Sequence, residues 1–146
     1  MISEPSRFLA VEAAMKLPIL LASMAALAAC STLPPPNGPF PGSVANTNWR
    51  IISVNGRVTP PSGEFFMNFE QMRFGSKFGC NGMGADYVQR GNIIDAGPVM
   101  GTKMACPDMS YEIQAHAVLA RDMLATWNGP RSLRLSNPAG TIELGR

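Results

Sequence analysis

From residue 46 onward, apolar and polar positions alternate in short runs broken by turn residues, the pattern of half-buried strands. The first run, 49–54, ends at Asn55-Gly56, a dipeptide that favours a tight hairpin turn. Runs at 65–69 and 71–74 follow, then 85–89 and 92–96 joined through Arg90-Gly91, and a shorter one at 99–103. Near the end, Leu133 and Leu135 alternate with Ser132, Arg134 and Ser136. Ile142 and Leu144 alternate with Thr141 and Glu143 beyond a turn at Asn137-Pro138-Ala139-Gly140. That pair predicts a hairpin with one buried face. A longer period, three to four residues, links Met109, Ile113, Ala117, Ala120, Leu124 and Trp127 and predicts one main α-helix over about 108–127. Pro107, Asp108 and Glu112 suit its N-terminal end, and Asn128-Gly129-Pro130 stops it. Its apolar stripe must lie on something, and the strands are what the chain offers. The expected fold class is α+β: an antiparallel curved sheet or partly closed β-barrel of six to eight strands with that one helix.

The texture before residue 46 is different. Residues 17–29 are thirteen uncharged, mostly apolar positions behind Lys16. As a helix they rise about 20 Å, short of the ~20 residues a permanent span needs, so a secretory leader fits better than a membrane anchor. The segment ends in Leu27-Ala28-Ala29-Cys30, which resembles the lipobox of bacterial lipoproteins. The resemblance implies a signal peptide over 1–29, cleavage between Ala29 and Cys30, and lipid on the Cys30 thiol. Ser31 after the cysteine points to the outer membrane, facing the periplasm. Glu4 and Glu12 sit where leaders avoid acids, so Met15 is an alternative start to Met1. Residues 30–45 then form a lipidated cysteine and a tether: positions 31–45 hold five prolines and two glycines, extended enough to reach about 45 Å.

Charge removes one class of function. The chain carries a net charge of +2, and the ten basic residues after Cys30 are scattered among eight acidic ones with no run to track phosphates. No nucleic-acid partner is expected.

Trp49 opening the first strand, Gly79-Cys80-Asn81 followed by Met83 and Tyr87, and Thr102-Lys103-Met104-Ala105-Cys106 before the helix together resemble the META domain, the family of HslJ-like bacterial lipoproteins. The resemblance covers 46–146. Ala85, where a glycine is common, and Ala115-His116, where an aromatic is often found, depart from the pattern. The resemblance implies no established chemistry, and with it no enzyme and no cofactor.

With Cys30 assigned to the leader, Cys80 and Cys106 remain. Two readings stand for them: a structural disulfide or neighbouring thiols in an oxidising compartment, and a reactive thiol, which lacks a CxxC spacing or an adjacent histidine. A disulfide across this loop would stabilise the fold by roughly 3 to 4 kcal/mol. Asn81 with Gly79, Gly82 and Gly84 reads as a tight turn rather than an anion cradle, since the lysine and Ser/Thr of a phosphate loop are missing. His116 is the sole histidine, and Cys80, Cys106 and His116 follow no metal-ligand spacing, so no metal site is expected. Asp86, Asp95 and Glu112 are not brought together by anything in the sequence and read as solvated charge. Met67, Met72, Met100 and Met104 read as core filling, or as an adaptable surface if exposed.

The functional expectation is a non-catalytic envelope lipoprotein, held to a membrane by its lipid. Its domain would bind other envelope components, with a role in heat or antibiotic stress implied by the resemblance. The alternative is a carrier or sensor of a small apolar ligand. Whether Arg73, Asn81 and Tyr87 line one pocket bears on both.

Overall fold

A computed structural model describes residues 42–146. The leader, Ala29, Cys30, the two possible starts and most of the tether lie outside the described residues.

Ten strands and one helix follow in the order β1 (Thr47–Val54), β2 (Arg57–Val58), β3 (Phe65–Phe69), β4 (Arg73–Phe78), β5 (Gly82–Arg90), β6 (Ile93–Ala96), β7 (Met100–Gly101), α1 (Ser110–Leu119), β8 (Met123–Trp127), β9 (Ser132–Asn137) and β10 (Gly140–Gly145). All pairings are antiparallel. Eight strands run β1-β3-β4-β5-β6-β8-β9-β10, and β10 returns to β1, so the sheet closes on itself as a barrel. The two-residue strands β2 and β7 sit outside this ring, on β1 and β5. Closure leaves the ring no free edge.

Period-two patterning explains the strands. Leu133 and Leu135 on β9, and Ile142 and Leu144 on β10, all face inward. Asn55 and Gly56 both take positive φ, 50° and 79°, as a two-residue primed turn requires. Asn55 Oδ1 also accepts the Thr141 N–H at 2.8 Å, tying this turn to β10. Opposite β10, β1 carries a bulge between Ile51 and Ser53, which shifts its phase and leaves Ser53 and Val54 both buried. Phe74, Phe78, Ile51, Met67, Ile94, Leu119, Met123, Leu133 and Leu135 are among the largest fully buried side chains. The barrel interior is thus filled by the protein itself.

The helix departs from expectation. It spans Ser110–Leu119, and the segment 123–127 that was expected to continue it is strand β8. The buried face is also a different one. Tyr111, Glu112, Ala115, Val118 and Leu119 point inward, while Ile113 is 66% exposed and Met109 37%. Met123, Ala125 and Trp127 face the core by alternation along β8, not by helical spacing. The chain leaves the helix at Ala120, and Asn137 Nδ2 donates to the carbonyls of Val118 (2.8 Å) and Asp122 (3.2 Å), capping the helix end from β9. Asn128-Gly129 therefore turns β8 into β9, with the Asn128 N–H donating to Ser132 O at 2.9 Å.

Residues 42–45, expected to lie in the tether, are packed instead. Val44 is fully buried, its N–H donates to Gln89 Oε1 at 2.9 Å, and Gln89 Nε2 returns a bond to Gly42 O at 3.1 Å. A side chain at Gly42 would meet the Trp127 ring at 3.3 Å. Residues 42–45 belong to the packed domain because Trp127 and the β5 side chain Gln89 give them something to pack on.

Candidate functional site

Two sequence motifs meet in space at one end of the barrel. The turn between β4 and β5 carries Gly79, Cys80 and Asn81, and the segment from β7 toward α1 carries Thr102, Met104 and Cys106. Gly79 supplies the positive φ, +114°, that this turn needs. Gly82 and Gly84 do not belong to the turn, as expected of them, but to β5. There a Cβ at position 84 would come within 2.7 Å of the Phe74 carbonyl, so close approach to β4 is what requires that glycine.

Cys80 and Cys106 are joined as a disulfide with their Cα atoms 6.3 Å apart. Beneath it lies Asn81, 2% exposed. Its Nδ2 donates to Met104 O (3.1 Å) and Glu112 Oε2 (2.9 Å), and its Oδ1 accepts from Thr102 Oγ1 (2.9 Å) and Met104 N (2.8 Å). All four hydrogen-bonding positions of the amide are thus used. Thr102 Oγ1 also accepts the Gly82 N–H at 3.1 Å. Glu112, 5% exposed on α1, accepts the backbone N–H groups of Cys80 (3.0 Å) and Asn81 (2.7 Å) through Oε1. The disulfide, the amide and the carboxylate form one clasp joining strand turn, loop and helix. Glu112 was expected to be solvated and is instead the clasp's anchor. The only local signal was an acid on the face of a helix that also carries Tyr111 and Ala115.

The other motif residues serve packing. Trp49 lies 5.5 Å edge-on to Trp127, donates Nε1–H to Thr47 Oγ1 at 2.7 Å and is covered by the Arg146 guanidinium 4.0 Å from its ring. Tyr87 packs edge-on to Phe69 at 5.4 Å and donates its hydroxyl proton to Glu70 O at 2.7 Å. Burial raises the Tyr87 phenol above its ordinary value of 10.0.

Arg73, Asn81 and Tyr87 do not share a pocket. Arg73 and Tyr87 line an open groove of about 680 Å³ with Met72, Asp86, Val88 and Asp95. Arg73 pairs with Asp86 at 3.7 Å and Asp95 with neighbouring Arg90 at 3.1 Å, while Glu70, also on the groove, is in no ion pair among the described residues. Asn81 lies under a second groove of about 450 Å³ beside the clasp. Met83, Val99, Met109 and Ile113 give this groove an apolar floor, and Thr102, Lys103 and His116 a polar rim. His116 is exposed, with no base or nucleophile hydrogen-bonded to it among the described residues. Met67 is core filling as expected, whereas Met72, Met100 and Met104 are 71%, 75% and 55% exposed.

A family model described as "META domain" matches residues 42–144. No curated protein matches the chain. Among solved structures, one determined by NMR has 14% identity and a TM-score of 0.60, with 68% of this chain and 88% of that chain covered. Another, an NMR structure of a protein from Burkholderia xenovorans, has 19% identity and a TM-score of 0.56, covering 80% and 94%. At such identities these two establish similarity of fold alone. The family match begins at Gly42, the first of the described residues.

Proposed function

The chain belongs to the META domain family, and from that premise we propose a non-catalytic envelope lipoprotein, anchored through lipid on Cys30 to the outer membrane, that binds another envelope component. The observation that carries this reading is the clasp. The motif residues that a catalytic reading would recruit, Cys80, Asn81, Cys106 and Glu112, are spent on one another, and each side-chain donor and acceptor of Asn81 is satisfied internally. What the clasp presents outward is the groove floored by Met83, Val99, Met109 and Ile113. Exposed Met109 and Ile113 suit an adaptable contact surface. A role under heat or antibiotic stress follows from the family likeness and belongs to the same proposal.

The second reading, an apolar-ligand carrier, is narrowed by the filled barrel. A ligand has no room among Phe74, Phe78, Met67 and Ile94 and would have to use the surface groove. Mass spectrometry of the mature N-terminus tests the anchor: a diacylglyceryl-modified Cys30 is expected, and an unlipidated first residue other than Cys30 would overturn it. Native mass spectrometry that finds a co-purifying lipid displaced by Ile113→Asp would favour the carrier instead.

A further inference from the structure

Glu112 is a buried carboxylate without a cation: none of the ion pairs among the described residues involves it. Its Oε1 accepts two backbone N–H groups, but its Oε2 accepts only Asn81 Nδ2 and so keeps a lone pair. The same Nδ2 lies 3.5 Å from Cys106 Sγ, so this side of the carboxylate faces the disulfide. One ligand atom from each of Cys80, Cys106 and Glu112 lies within 4.8 Å of the other two. Two thiolates and a carboxylate are a zinc donor set, completed to four by water. From ordinary bond lengths, sulfurs around tetrahedral zinc sit about 3.8 Å apart and sulfur and oxygen about 3.5 Å apart. Small side-chain rotations reach those separations. The three N–H donors on Glu112 would fix the orientation of the ligating carboxylate, as hydrogen bonds behind metal ligands do.

We propose that reduction of the Cys80–Cys106 disulfide converts the clasp into a zinc site whose protein ligands are Cys80 Sγ, Cys106 Sγ and Glu112 Oε2. A dithiol reductant delivers two electrons and two protons to the cystine, whose S–S bond breaks as the reductant's own thiols close into a disulfide. Zinc then forms two Zn–S bonds and displaces those two protons. The cation also neutralises two of the three negative charges that two thiolates and a carboxylate would bring together. The turn and the loop stay joined in both redox states, by a covalent bond in one and by metal in the other, and helix α1 is held to them through Glu112, by hydrogen bonds in one and additionally by metal in the other.

The test uses the full 146-residue chain in detergent, carrying Cys30→Ser to remove the third thiol, with cobalt(II) as an optical probe. After reduction by dithiothreitol and removal of the reductant, one cobalt per chain is expected, with a thiolate-to-metal charge-transfer band and tetrahedral d–d bands that zinc abolishes. The oxidised chain should take up none. Glu112→Gln should weaken uptake at least tenfold, and Cys80→Ser with Cys106→Ser should eliminate it. Since Glu112→Gln could loosen the fold, an infrared difference spectrum of the unmutated ligand set, zinc-bound minus zinc-free, supplies a second readout: a shifted carboxylate band is expected. Resistance of the folded chain to reduction, absence of uptake after it, uptake indifferent to Glu112→Gln in a folded chain, or an unshifted carboxylate band would each overturn the proposal.

Discussion

Replacing Asn81 with alanine removes four hydrogen bonds from a side chain that is 2% exposed. Three join neutral groups and are worth about 1 kcal/mol each, and the fourth, to the Glu112 carboxylate, about 2 kcal/mol. Met104 is 55% exposed, so water can re-solvate part of its backbone, and the net loss should be about 3 to 4 kcal/mol. Against the roughly 5 to 15 kcal/mol that holds a domain together, that is a large share. Urea unfolding followed through the fluorescence of the buried Trp49 and Trp127 should show a lower midpoint with an unchanged slope. Asn81→Asp separates hydrogen bonding from shape. It preserves volume, but it removes the Nδ2 donor and sets a second carboxylate against Glu112. It should therefore cost at least as much as alanine. An aspartate variant as stable as the parent, or an alanine cost under about 1 kcal/mol, would refute the clasp as an energetic unit.

Three further outcomes are expected. Cys80→Ser with Cys106→Ser, compared with the oxidised chain in chelator-containing buffer, should lower stability by about 3.5 kcal/mol, given the sequence separation of 26. The folded-state pKa of Tyr87 is raised above 10.0, so its contribution is fully present below that pH and is lost as pH climbs through and beyond it. Melting temperatures from pH 9 to 11 should fall less steeply in Tyr87→Phe than in the parent. Deleting residues 31–41 should leave the melting temperature unchanged. Extending the deletion through residue 45 should lower it, since it uncovers Trp127 and removes Val44, whose full burial is worth about 1.5 to 3 kcal/mol.

The strands were legible because period-two alternation and turn dipeptides agree with one another. Asn55-Gly56 and the 137–140 turn stand where the sequence puts them, and the closed barrel follows from locally connected strands plus two long-range pairings, β6 with β8 and β1 with β10. The helix end was not legible. Between Pro107 and Asn128 no glycine or proline interrupts the chain, and apolar residues occur on every side of 110–119. Met109, Ile113 and Ala117 therefore mimic a stripe, and Leu124 and Trp127 happen to continue its phase. Only the tertiary alternative, pairing 123–127 against β6 and β9, decides for strand. Both halves of the clasp were visible as motifs, and the cysteine pair was open to a disulfide. Their anchor was not, because the bonds from Cys80 and Asn81 to Glu112 span 32 and 31 residues and its place on the helix face of Tyr111 and Ala115 is too weak a local mark of burial.

In the proposed function, the lipid-anchored domain acts through the groove beside the clasp. Crosslinking in intact cells, with wild-type protein against Ile113→Asp on that 66%-exposed position, tests it most directly. One envelope component is expected that is captured by the wild type, is lost with Ile113→Asp while folding and membrane fractionation are unchanged, and is lost again when Cys30→Ser removes the anchor. Capture of the same component by all three chains, or of none by the wild type under heat or antibiotic stress, would contradict it.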